Sequence, residues 1–192
     1  MAEVVLYHHA QGLTEGVQAF ASELRQAGHT VHVPDLYEGH TFATLDEGLA
    51  YMKQTGFETI MSRGVVAVDG LGDALVYAGF SLGVMPAQQL AQTRAGARGA
   101  LLFHACAPVS EFGDAWPMGV PVQVHGMDGD PFFAEEGDLD AARALVDSAE
   151  QAELFLYAGK EHLFADSSLP SYDQAAASLL TRRVLDFLDP IR

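Results

Sequence analysis

Residues 74–83 read Ala74-Leu75-Val76-Tyr77-Ala78-Gly79-Phe80-Ser81-Leu82-Gly83, an apolar run that ends in G-x-S-x-G. The run is short, rich in β-formers and without polar alternation, as expected of a strand buried on both faces of a parallel sheet. It predicts a strand over 74–79 and a helix over 81–93, with the serine on the sharp turn between them. Pro86 falls early in that helix, where few backbone N–H bonds are lost. Glycine two positions before and two after the serine fits such a turn, because side chains there would meet neighbouring backbone. The turn exposes the Ser81 hydroxyl, aims the N–H of Leu82 at a developing oxyanion, and sets both at a helix N-terminus that favours negative charge. The bland alternative is a glycine-rich strand-to-helix turn with an idle serine.

Outward from this turn, apolar β-type runs alternate with helical patterns along the chain. Strands are predicted at 3–7, 30–33, 99–104, 120–125 and 153–157. Helices are predicted at 15–27, 44–61, 139–148 and 171–188. Gly28 fits the C-terminal cap of the first helix and Asp138 the N-cap of the 139–148 helix. Alternation of this kind specifies an α/β fold, a single domain over residues 1–192 with about six mostly parallel strands flanked by helices. The expected strand order is 2-1-3-4-5-6. That order brings the loop after strand one beside the serine turn, at the carboxyl edge where such sheets carry their ligand sites.

Composition narrows the function. The net charge of −16 opposes binding to nucleic acid or to an anionic membrane surface. No apolar stretch approaches a membrane span, and the N-terminus lacks the pattern of a signal peptide, so a cytoplasmic location is expected. One cysteine, Cys106, provides neither an internal disulfide nor a paired metal motif, and a buried thiol is its expected role. His8, His9, His104 and His125 cluster near predicted strand ends, but without the spacing of a metal site.

A serine nucleophile needs a base and a group that orients the base. His29, His32 and His40 precede the serine, too early for the order nucleophile, acid, histidine of the α/β-hydrolase fold. His162 lies in a glycine-containing loop after the sixth strand, in Gly159-Lys160-Glu161-His162-Leu163-Phe164. The fifth strand runs into Gly126-Met127-Asp128-Gly129-Asp130-Pro131. Of its two aspartates, Asp130 is the expected acid, with Asp128 shaping the turn. His9, Phe80, Phe132 and Phe164 are expected to line a substrate pocket, and Trp116 is a further candidate.

Together these residues resemble the dienelactone hydrolase family, a small branch of the α/β-hydrolases. The resemblance rests on His8-His9-Ala10-Gln11-Gly12 after strand one, Pro34-Asp35-Leu36-Tyr37 after strand two, the elbow Gly79–Gly83, His125 with Asp130, and His162-Leu163-Phe164-Ala165 followed by Ser167-Ser168 and Tyr172. It implies a hydrolase that cleaves a small ester, lactone or thioester through Ser81, His162 and Asp130 and an acyl-enzyme, with backbone N–H groups of Ala10 and Leu82 as the oxyanion hole and no cofactor or metal. A monomer or homodimer is expected. The family's usual nucleophile is cysteine, replaced here by Ser81. A glutamate stands in the family where this chain has His9. A substrate-gripping arginine stands where this chain has Asp166, and Arg63 is only a loose match for a second one. An aspartate facing the substrate would repel a carboxylate, so dienelactone itself is not the expected substrate. Two alternatives share the constellation: acyl transfer to an acceptor other than water, and a non-catalytic ligand-binding or regulatory protein on the same fold.

Overall fold

The computed structural model describes residues 1–191. Six parallel strands form one sheet in the order β2-β1-β3-β4-β5-β6, as expected from the sequence. They are β1 (Glu3–Tyr7), β2 (Thr30–His32), β3 (Val76–Phe80), β4 (Gly99–Phe103), β5 (Val122–Met127) and β6 (Ala152–Tyr157). β3 and β4 are wholly buried, and β1 nearly so, which accounts for their continuous apolar sequences. Edge strand β6 is half-exposed.

Among the described residues seven α-helices cover the sheet: α1 (Glu15–Gln26), α2 (Leu45–Thr55), α3 (Phe57–Val66), α4 (Val84–Thr93), α5 (Pro131–Ala134), α6 (Asp138–Ser148) and α7 (Gln174–Leu188). Alternation along each strand splits the core in two. On one face Val4 and Leu6 of β1 pack with Val17, Phe20 and Leu24 of α1 and with Leu180 and Val184 of α7. On the other, Val5 and Tyr7 pack with Ile60 of α3, Val84 and Leu90 of α4, and Leu145 of α6. Each strand thus serves two apolar layers through its two-residue period. Among the described residues no helix is long and apolar enough to cross a membrane.

Several predicted boundaries are corrected. The helix expected over 44–61 is two helices. Gly56 breaks it with φ +93°, and α2 starts in a capping box between Thr44 and Glu47. The helix expected from Ser81 opens with a tight 3-10 turn at Ser81–Gly83, and α4 proper begins at Val84. Pro86 therefore lies in the first turn of α4. Asp138 is not a cap. Gly137 holds that position with φ +104°, and Asp138 is the first helical residue. Its carboxylate instead accepts the backbone N–H of Cys106 at 3.2 Å. The short helix α5 escaped the sequence reading because four residues carry no periodicity. Asp130 caps it by accepting the N–H of Phe132 at 3.0 Å, with Pro131 in its first turn.

Candidate active site

The tight strand-to-helix turn places Ser81 in the left-handed region, at φ +48°. A side chain at either flanking glycine is blocked. A Cβ on Gly79 would run into the backbone of Gly83, and one on Gly83 would lie 2.6 Å from the carbonyl oxygens of Tyr7 and His8. Both glycines are therefore required for β3 to turn into α4 against β1. The strain at Ser81 is held by the packed sheet on one side and α4 on the other.

Ser81 Oγ lies 2.9 Å from His162 Nε2. His162 Nδ1 lies 2.6 Å from Asp130 Oδ2. Asp130 is fully buried, whereas His162 keeps 10% of its side-chain surface exposed. An ionised carboxylate only accepts, so the His162 proton sits on Nδ1 and the lone pair on Nε2 receives the serine hydroxyl. Asp130 Oδ1 is held by the α5 N-terminus. Asp128 does not reach the histidine. It accepts the N–H of Gly159 at 3.2 Å, while Gly129 N–H donates to Gly159 O at 2.8 Å. These two bonds tie the acid loop to the histidine loop. Leu163, the residue after the histidine, takes φ +63°.

A cavity of about 280 Å³ opens at Ser81 and His162, at the small end of the range for small-molecule sites. Ala10 and Leu82 both line it. α2 closes one side with Leu45 and Leu49. Gly48 brings α2 against the Ala10 carbonyl so closely that a Cβ there would collide with it. Phe132 lines the cavity and packs on His162, with ring centroids 4.8 Å apart.

The other expected lining residues lie elsewhere. Phe80 and Phe164 are fully buried in the core. They follow strand and loop positions whose side chains point into the apolar layer beneath the site. His9 is fully buried as well, with Nε2 2.7 Å from Asp166 Oδ2 and Nδ1 accepting the N–H of Gln11 at 3.2 Å. Asp166 is equally buried and does not face the cavity. Thr14 Oγ1 donates to its Oδ2, and the backbone and hydroxyl of Ser168 donate to Oδ1. Burial drives the carboxyl upward, but the hydrogen bonds from His9, Ser168 and Thr14 outweigh it and hold it below the usual range. For His9, burial prevails over its partner and the imidazole is held neutral. The expectation that Asp166 repels substrate is therefore corrected: its charge is spent inside the protein. Arg63 is also engaged elsewhere, donating to Leu36 O at 2.8 Å and to Glu38 at 2.7 Å. Trp116 bonds to Val120 O and does not line the cavity.

Three polar cavity residues were not singled out as such from sequence. Glu136 and Asp138 follow α5, and His104 follows β4. His104 takes φ +65° and is 1% exposed, and neither ring nitrogen has a hydrogen-bond partner among the described residues. Burial, reinforced by His162, His9 and His125, pushes its pKa far down, so the ring is neutral. Burial also raises the Asp138 carboxyl to about 6. The turn at His104 follows from the end of β4, but no local pattern marks it. Its neighbour Cys106 is a buried thiol pushed up to about 12, chiefly by desolvation.

The sequence matches the dienelactone hydrolase family over residues 1–192. No curated protein matches it. Solved structures share the fold. A dienelactone hydrolase-like promiscuous phosphotriesterase from metagenomic libraries is 19% identical, with 100% of this chain and 87% of that chain covered and a TM-score of 0.75. A cold-adapted esterase from an Arctic intertidal metagenomic library is 19% identical, with 98% and 82% covered and a TM-score of 0.68. A Thermus thermophilus protein is 17% identical, with 99% and 88% covered and a TM-score of 0.62. At such identities the likeness speaks for the fold, and the whole-chain match speaks for the family. The chain belongs to the dienelactone hydrolase family, as a hydrolase of carboxylic esters.

Proposed function

We propose that Ser81, His162 and Asp130 act as a catalytic triad that hydrolyses a small carboxylic ester, lactone or thioester through an acyl-enzyme. The observation that carries this reading is the unbroken chain of hydrogen bonds from Ser81 Oγ to His162 and on to buried Asp130, opening on a cavity. His162 Nε2 takes the Ser81 proton as the oxygen attacks the carbonyl carbon. Backbone N–H groups of Ala10 and Leu82 stabilise the tetrahedral oxyanion, a contribution of about 3 kcal/mol for each donor. His162, now an imidazolium held by Asp130, returns the proton to the leaving oxygen or sulfur. Water then repeats the sequence on the acyl-enzyme, and Asp130 stays ionised throughout.

Two of the structurally similar proteins are described as an esterase and as a promiscuous phosphotriesterase, so ester cleavage suits this scaffold. A serine in place of the family's usual cysteine suits a site in which the base already accepts the hydroxyl proton. The test is covalent labelling with a fluorophosphonate probe. Wild type should label and Ser81→Ala should not. Equal labelling of both proteins defeats the assignment of the nucleophile.

A further inference from the structure

Hydrolysis accounts for Ser81 and His162, but not for the large apolar side chains set around them. Leu45, Leu49 and Phe132 line the cavity and belong to neither apolar layer of the core. Such side chains forgo the gain of full burial, and three of them gathered around one nucleophile mark a surface for an apolar ligand. We propose that α2 is the wall along which the acyl chain of the substrate lies, and that the substrate is an ester of a short aliphatic acid. This rests on the reading of the cavity as an esterase site.

The way α2 is attached supports this role. Gly48 is its only buried residue. Leu45, Gly48 and Leu49 follow one another at helical spacing and share one face. The glycine lets that face meet the Ala10 carbonyl, where a Cβ would collide. Tyr37 Oη donates to Gly48 O at 3.3 Å. The segment before α2 is tied to the same loop: Gln11 Nε2 donates to Phe42 O and to Ala43 O, each at 3.2 Å, and Phe42 N–H donates to Gln11 O at 2.9 Å. The two leucines are thus held in fixed relation to Ala10, with their side chains half-buried at the cavity.

The chemistry assigns the wall to the acyl chain and not to the alcohol. The leaving oxygen must come within hydrogen-bond reach of His162 Nε2 to be protonated. That puts the leaving group on the side where Phe132 packs on His162. The carbonyl oxygen points to Ala10 and Leu82. Substituents on the carbonyl carbon point apart, so the acyl chain runs away from His162, toward the leucines of the helix seated on the Ala10 loop. The cavity of about 280 Å³ lies below the range for drug-sized ligands, so a chain of a few carbons fills it and a long one does not.

Two ester series test this. The acyl series is p-nitrophenyl acetate, butanoate, hexanoate and octanoate. The alcohol series is ethyl, butyl and hexyl acetate. In wild type kcat/KM should rise by about fourfold for each methylene from acetate to butanoate, then fall at octanoate. Leu49→Ala should raise the octanoate-to-butanoate ratio by about tenfold, and Leu49→Phe should lower the butanoate-to-acetate ratio by about tenfold, the size expected when an apolar pocket gains or loses room for a methylene. Each ratio compares substrates on one enzyme, so a loss common to both, including partial misfolding, cancels. A general loosening of α2 would not shift the smaller and the larger side chain in opposite directions. The proposal is overturned by a wild-type acyl profile that is flat, by one that neither variant alters, or by a shift confined to the alkyl acetates. Failure of wild type to cleave any ester of either series would instead overturn the esterase reading, and the acyl wall with it.

Discussion

Two histidine–aspartate pairs lie close to the same sheet edge and behave oppositely. His162 Nδ1 meets Asp130 at 2.6 Å, and His9 Nε2 meets Asp166 at 2.7 Å. Both aspartates are fully buried. The difference is the second ring nitrogen. In His162 it faces the Ser81 hydroxyl beside a cavity. In His9 it accepts the backbone N–H of Gln11, and no surface of the ring is exposed. One ring points its second nitrogen at a hydroxyl on a cavity, whereas the other is a fixed strut between the Ala10 loop and the loop after Phe164. A short His–Asp contact is thus no mark of catalysis by itself; the environment of the free nitrogen decides.

The largest expected effect separates the two pairs directly. Asp130→Asn should lower kcat for phenyl acetate by about 10⁴-fold, because the amide favours the wrong tautomer, with only a small change in the urea midpoint. Asp166→Ala should do the reverse. Removing one partner of this buried network should cost about 3–5 kcal/mol of stability in urea unfolding, while kcat of the folded fraction stays within about tenfold of wild type. A loss of about 10³-fold in kcat with unchanged stability would break the comparison and place His9 in the chemistry.

Acid should expose the buried rings next. The pKa values of His9, His104 and His125 all lie below the usual value, that of His125 at about 3, in each case chiefly through burial. Below about pH 6.5 the unfolded chain takes up protons that the folded protein refuses. Stability is therefore lost as pH falls through that value. Asp138, raised to about 6, acts in the opposite direction, one group against four, since burial also lowers His29. The net should be a loss of stability as pH falls below 6, measured as the urea midpoint at pH 7, 6 and 5. A flat profile would mean that these histidines accept protons in the fold. The smallest effect belongs to the cavity rim. Phe132→Ala removes a ring packed on His162 that is itself 36% exposed, and should raise KM several-fold, about 1 kcal/mol, with little loss of stability.

Much of this was legible in the sequence where near neighbours set the geometry. The glycines around Ser81 announce the turn because only local backbone decides whether a Cβ fits. The position of His162 after β6 and of Asp130 after β5 follows from counting strands. Misreadings arose where local pattern was ambiguous or silent. The apolar spacing over 44–61 runs on through Gly56, because the positive φ there leaves it unchanged on either side. Aspartate before an apolar run makes Asp138 a good cap by sequence, yet Gly137 takes the left-handed turn there. Phe80 and Phe164 are apolar residues beside Ser81 and His162 that suit a pocket or a core equally well by sequence, and strand alternation turns Phe80 into the core.

The six-stranded α/β architecture, its strand order, the serine turn and the succession Ser81, Asp130, His162 are all legible in the residue pattern. These depend on residue period, on glycine and proline sterics, and on the handedness of strand–helix–strand connections, all local properties. The pairing of His9 with Asp166, by contrast, is set by tertiary packing alone. Asp166 and His9 are 157 residues apart, and nothing within either segment specifies the other. Their contact depends on sheet register and on the packing of two loops. The same holds for the cavity at Ser81, whose lining draws Glu136 and Asp138 from the segment around the start of α6 and His104 from the end of β4. Side-chain partnership across such separations is settled by how the layers close, so the chemistry of the turn could be read from residues 79–83, but the company it keeps could not.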